Sequence, residues 1–244
     1  MPKAADPATA RKTPREFRYL PASQCAAVPY LYSMLELPIT VRIPSDEEID
    51  YRPDIDEILF KRRKAKIVEG YSLTLNENPR LPYRFQAMIN IDNSRLWALF
   101  QALAATLPDK VSCVYGIYEE DAVTTPLLQK QFILKELEKY REELTQDCLL
   151  EAGLLFRVKD ILLELNISES KYIRYWGAEL ERFRLLMQSF HLTQVEGLEF
   201  IDEYPKIVTP LRELVRTAKA PETVLYYLDQ AFHIDRTAPD PFFD

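Results

Sequence analysis

Apolar residues recur with period two in some segments of this chain and with helical spacing in others. The alternation is clearest from residue 66 onward. "IVEGYSLTL" places Ile67, Tyr71, Leu73 and Leu75 on one face, and "RFQAMINI" does the same with Phe85, Ala87, Ile89 and Ile91. This spacing predicts two half-buried strands. The "NENPRLPY" between them predicts a hairpin loop wider than a two-residue turn. "SRLWALFQALAATL" then predicts a helix, with Leu96, Phe100, Leu103 and Leu107 on one stripe behind the capping candidates Asn93 and Ser94.

"VSCVYGIY" is apolar on both faces, as a central strand is. Thr125 and Pro126 read as a cap and first turn, predicting a long helix to about Leu144 with the stripe Leu127, Ile133, Leu137, Tyr140 and Leu144. "CLLEAGLLF", "ILLELNI" and "KYIRYW" predict a meander of three short strands. "AELERFRLLMQSF" returns to helix through Leu180, Phe183, Met187 and Phe190, and "GLEFIDEYP" reads as a further strand. "PLRELVRTA" and "PETVLYYLDQAF" predict two short helices, the second opened by Pro221. Up to about Pro53, Pro21, Pro29, Pro38 and Pro44 punctuate the chain and allow only short elements, with a strand in "LPITVRIP"; "PDIDEILFKRR" then predicts one or two helical turns.

The order strand, helix, strand, acidic end occurs twice, at residues 85–118 and 171–204. Residue identity between the two stretches is slight, so two ordinary units and an old duplication are both open. The expected fold class is α+β, a mixed or mainly antiparallel sheet with amphipathic helices packed on it. Both units should share that sheet, with helices 94–107 and 178–190 on one face. The expected organisation is a flexible tail at 1–16, a single domain at 17–236 with possible halves 17–122 and 123–236, and a tail at 237–244.

At 244 residues and 47% hydrophobic, the chain is long enough to bury a sizeable core. No stretch reaches the roughly 18 apolar residues that span a bilayer. The first residues carry basic groups but no apolar run, so no secretory signal is read there. Cys25, Cys113 and Cys148 lie at long spacings without a C-x-x-C pair, which reads as reduced thiols of a cytoplasmic protein. The net charge of −7 disfavours nucleic acid and anionic membranes as partners. "FKRRKAK" at 60–66 is the one basic run, and a solvated helix end accounts for it better than a nucleic-acid patch.

With only 5 Gly there is no G-x-G-x-x-G, no phosphate-binding G-x-x-x-x-G-K-[ST] and no G-x-S-x-G elbow. His191 and His233 belong to no ligand cluster, and His191 is placed to cap a helix C-terminus. No cofactor and no metal are therefore expected. The acids stand out: "YEED" gives Tyr118, Glu119, Glu120 and Asp121, and "EFIDEY" gives Glu199, Asp202, Glu203 and Tyr204. Three readings are open for them. They are a solvated rim beside a helix start, a docking surface for a basic protein, or oxygen ligands for a hard cation. The expectation is a non-catalytic, bacterial-type domain that binds another, basic protein through these eight residues. In general character it is similar to the immunity proteins that neutralise bacterial toxins, although no motif identifies such a family. The alternatives are a divalent-metal-dependent hydrolase using the acidic rim and a structural subunit of a larger assembly.

Overall fold

An antiparallel meander organises the protein, because its apolar strands cannot be buried singly and must share one face. The computed structural model describes residues 35–45, 48 and 54–236. The expected tails, Cys25 and the elements around Pro21 and Pro29 lie outside the described residues. The described residues belong to one compact unit, Ser33–Asp244.

The main strands are β2 (Gly70–Leu75), β3 (Phe85–Asn90), β4 (Lys110–Ile117), β7 (Leu150–Val158), β8 (Ile161–Ile167) and β9 (Ile173–Gly177). Two short strands, β5 (Val123–Thr124) and β6 (Leu128–Gln129), both pair with β4. The sheet has eight strands in the order β2-β3-β9-β8-β7-β4-β5, every pair antiparallel, with β6 beside β4 off that path. β3 pairs with β9 and β4 with β7, so both possible halves of the chain contribute to one sheet. β1 (Val41–Arg42) and β10 (Ile207–Val208) form a separate two-stranded ladder.

Register explains the core. Ala87 faces Tyr175, Tyr175 faces Leu165, Leu165 faces Leu154 and Leu154 faces Cys113, so one apolar row runs across five strands. Helices α2 (Asn93–Ala104), α3 (Lys130–Glu138), α5 (Leu180–Ser189) and α7 (Pro221–Phe232) bury their apolar stripes on that face. Each fully buried Leu, Ile or Phe stabilises by about 2 kcal/mol. α2 and α5 touch each other there, as expected of helices sharing a face. The remaining helices are α1 (Ile55–Lys64), α4 (Arg141–Gln146) and α6 (Leu211–Leu214). No helix among the described residues is long and apolar enough to cross a membrane.

Two expectations are corrected. The helix from Thr125–Pro126 to Leu144 begins only at Lys130 and breaks at Tyr140, where α4 takes over. Thr125 does not cap it: its N–H donates to Cys113 O (2.9 Å), its hydroxyl accepts from Cys113 N (2.9 Å) and donates to Pro126 O (2.9 Å). The hydroxyl thus closes the edge of β4. The strand expected in "GLEFIDEYP" is absent, and Ile201–Glu203 is a short 3-10 turn. Leu198 and Phe200 are buried by packing with Tyr172 in a small cluster away from the main core. The alternation there reports loop packing, and the second strand-helix unit lacks its closing strand.

Candidate functional site

The first acidic set occupies a hairpin turn. β4 and β5 pair Val114 with Thr124 and Tyr115 with Val123, leaving residues 118–121 in the connection. Glu120 N–H donates back to Ile117 O (3.0 Å), and Glu119 takes the left-handed conformation with φ 67° that so tight a reversal requires. Tyr118 N–H donates to Leu149 O (2.8 Å), tying the turn to the chain just before β7. Tyr118 is 43% exposed, and Glu119, Glu120 and Asp121 are exposed. The helix start they were expected to dress lies nine residues further on, so dipole compensation does not explain them.

Behind the turn, α7 is docked on β4. Tyr115 hydroxyl donates to Asp229 (2.8 Å), Arg236 donates to the same carboxylate (2.6 Å), and the Tyr115 and Phe232 rings lie 5.7 Å apart. Both histidines stand at helix C-termini in the left-handed conformation, His191 after α5 (φ 59°) and His233 after α7 (φ 56°). Backbone reversal, with no ligand role visible, accounts for them.

The second acidic set is mostly engaged internally. Glu199 accepts from the Tyr204 hydroxyl and from Lys66 N–H (2.7 Å), and these bonds, the Tyr204 one foremost, hold its carboxyl below the usual range. Glu203 accepts from Phe200 N–H (2.8 Å), closing its own turn. Tyr204 is only 9% exposed and so is not available as a contact anchor. Asp202 is exposed, accepts from the Tyr172 hydroxyl (3.1 Å), and lies close enough to act on Tyr118. Ionisation of Tyr118 is pushed up by Glu169, then Glu119, with smaller contributions from Glu151 and Asp202. The fold therefore brings Tyr118, Glu119 and Asp202 into one acidic neighbourhood and turns Glu199, Glu203 and Tyr204 into its supports.

Sequence reasoning missed the layer beneath, the β8–β9 hairpin "SESKY". Ser168, Glu169, Ser170 and Lys171 are all buried, although such residues in a turn ordinarily face water. Arg174 donates to Glu169 (3.0 Å) and to the Tyr172 hydroxyl (3.2 Å). Lys171, with φ 62°, donates to Leu150 O (2.6 Å), and burial pushes its pKa down. Lys206 donates to the Ser170 hydroxyl. Burial, then Glu169, raises the Glu151 carboxyl above its ordinary range. The only sequence signal was a charged turn between two strands apolar enough to be central.

Glu164 on β8 illustrates the pH behaviour of this sheet face. Burial raises its pKa, with Arg174 opposing. A carboxyl whose folded pKa exceeds its unfolded value costs stability as pH rises through the folded pKa, and costs nothing below the unfolded one. Glu164→Gln should therefore stabilise the protein at pH 8 by ~1 kcal/mol, roughly 3 °C in Tm for a domain of this size. The gain should vanish below pH 4. A thermal-melt series across that range checks it, and a gain independent of pH would assign the effect to packing.

The donor set a hard cation needs is not assembled: among the described residues no group of three or more His, Cys, Asp or Glu side chains is placed to hold a metal ion. Cys113 and Cys148 are buried, and burial raises both thiols above their ordinary range, which disfavours the thiolate. No protein-family model, curated protein or solved structure matches this chain.

Proposed function

We propose that this chain is a non-catalytic, cytoplasmic protein-binding module that presents the β4–β5 hairpin to a basic surface of another protein. One observation carries the reading. Glu119, Glu120 and Asp121 crowd a single turn, are exposed, and form no ion pair among the described residues, beside the half-exposed ring of Tyr118. Like charges held together repel one another, among the described residues only Glu120 feels a nearby cation, Arg236, and a cationic partner relieves that repulsion on binding.

The carboxylates would act at long range by steering encounter, over a Debye length of about 8 Å at physiological salt. Tyr118 would supply contact area once docked, as aromatic anchors do. Asp202 extends the acidic field, while Glu199, Glu203 and Tyr204 hold the neighbouring loop. An immunity-type role, in which such a surface neutralises a basic bacterial toxin, fits this chemistry at the level of class.

Binding kinetics against the product of the adjacent gene test the proposal. The combined variant Glu119→Lys, Glu120→Lys and Asp121→Lys should lower the association rate by roughly tenfold to a hundredfold at low salt and flatten its salt dependence. The melting curve should change little, because these side chains make no packing contacts in the core. Unaltered association in the variant would retire the hairpin as the docking element.

A further inference from the structure

The layer beneath the acidic hairpin offers more hydrogen-bond acceptors than donors. Glu151 on β7 lies opposite Gly116 of β4, on the sheet face away from the main helices. The β4–β5 hairpin folds back over that spot, since a methyl on Gly116 would stand 3.1 Å from Ala122 Cα. The β8–β9 turn closes the other side. Ala152 pairs with Ile167, so Glu151 and Ser168 are the next neighbours outward, and Lys171 donates to Leu150 O (2.6 Å). Between the two hairpins the Glu151 carboxyl meets the Glu169 N–H and the Glu169 carboxyl. Glu169 itself is buried.

Few donors reach this pair. Arg174 on β9 donates to Glu169 (3.0 Å), but it also serves the Tyr172 hydroxyl (3.2 Å) and lies near Glu164. The Ser170 hydroxyl adds a long contact to Glu169 (3.4 Å). Lys171 and Lys206 are taken up by Leu150 O and the Ser170 hydroxyl, with Asp147 and Cys148 beside Lys171. Tyr118 faces the pair from the hairpin, and Glu119 and Asp202 act on the same ring hydroxyl. Asn166 Oδ1, opposite Arg174 on this sheet face, is buried with no donor among the described residues. Two ionised carboxylates repel and cannot bond to each other, whereas one proton between them makes a donor of an acceptor. Burial, then Glu169, raises the Glu151 carboxyl above its ordinary range, in keeping with that arrangement.

We propose that Glu151 and Glu169 form one shared proton site beneath the hairpin, and that proton uptake there weakens docking of the basic partner. The inference rests on the docking role of the hairpin given above and adds its regulation. The bound proton removes one negative charge from the field around Tyr118, to which both glutamates contribute. Docking is therefore strongest at high pH, where the pair is fully ionised, and weakens as pH falls and the proton is taken up. Linkage makes the effect reciprocal, because a docked cation disfavours the proton by the same free energy.

Two measurements on the full chain test this. In a carbon-13 NMR titration of side-chain carboxyls, the Glu151 and Glu169 resonances should move together through a step above the ordinary glutamate value of about 4.3. The Tyr118 ring should report the same step, and Glu151→Gln should abolish it. The wild-type titration stands even if that variant folds poorly. The second probe is fluorescein-labelled (Lys)8, followed by anisotropy at pH 8.0 and pH 5.0 at constant ionic strength, where lysine stays charged. Wild-type affinity should fall at least threefold at the lower pH. Glu151→Gln should bind at pH 8.0 about as weakly as the wild type does at pH 5.0, and change little between them. Separate titration of the two carboxyls within the ordinary range overturns the proposal, as does a pH dependence that Glu151→Gln leaves intact. A shared step with equal peptide affinity at both pH values overturns it too. Loss of the shared step alone, with binding still abolished by the triple lysine variant of the hairpin, spares the docking role. Peptide binding that is absent at pH 8.0, or indifferent to that triple variant, retires the docking role and this proposal with it.

Discussion

Truncating Phe85 to alanine is expected to cost about 4 kcal/mol, within the range measured for buried Phe→Ala changes. Phe85 is fully buried on β3 at a junction of four aromatic rings. Its ring lies 5.1 Å from that of Phe183 and 5.8 Å from that of Tyr175, while Phe183 stacks on Tyr175 at 5.6 Å and meets Tyr71 edge-on at 5.3 Å. These four side chains come from β3, α5, β9 and β2. Removing Phe85 therefore opens a cavity where three strands and a helix meet, and flanking rings held by their own strands can fill it only in part. Urea denaturation should show a large fall in midpoint with little change in slope. Phe85→Leu should recover more than half of the loss. A cost below about 1 kcal/mol for the alanine variant would mean that the rings repack freely and do not fix α5 on the sheet.

Gly153→Ala should destabilise the protein by about 3 kcal/mol, the upper range for overpacking a well-formed interior. Gly153 lies on β7 opposite Asn166 of β8. An added methyl would stand 2.5 Å from Leu165 O and 3.1 Å from Asn166 Cα, both backbone atoms. Backbone within a central ladder cannot step aside as a flexible side-chain end can, so relief requires β7 and β8 to separate. That motion disturbs the row Cys113, Leu154, Leu165 and Tyr175 on the other side of the sheet. The Asn166 Nδ2 would stand only 3.2 Å from the added methyl, so the facing side chain crowds it as well. Chemical denaturation together with hydrogen exchange of the β7 and β8 amides measures the effect. A cost under about 0.5 kcal/mol would show that the strands have slack at this register.

The two acidic stretches had equal standing as motifs, and the fold gave them different work. "YEED" became the tip of a hairpin because Thr125 and β6 hold the following residues against β4. "IDEY" became a turn whose acids accept hydrogen bonds from Tyr172, Phe200 and, through Glu199, Lys66 and Tyr204. A carboxylate's availability depends on which donors reach it, and the donors here come from as far away as residue 66.

The sequence by itself determined the element types of the main sheet and its helices. The two period-two runs became β2 and β3, the three short apolar runs of the meander became β7, β8 and β9, and the 3.6-residue stripes became α2 and α5, because each pattern offers apolar groups that water expels. Pro221 marked the start of α7, where a missing N–H costs nothing. Only the tertiary structure decided that β9 inserts between β3 and β8, that Leu198 and Phe200 pack as loop residues, and that Thr125 closes a strand edge where a helix start was expected. It also buried the polar hairpin 168–171 and placed β2 at the end of the strand order among the described residues. A local pattern states which side of a segment is apolar and is silent on what will cover it. Pairing among distant strands, and the hydrogen bonds that consume or spare each polar group, are settled only when the whole core packs at once.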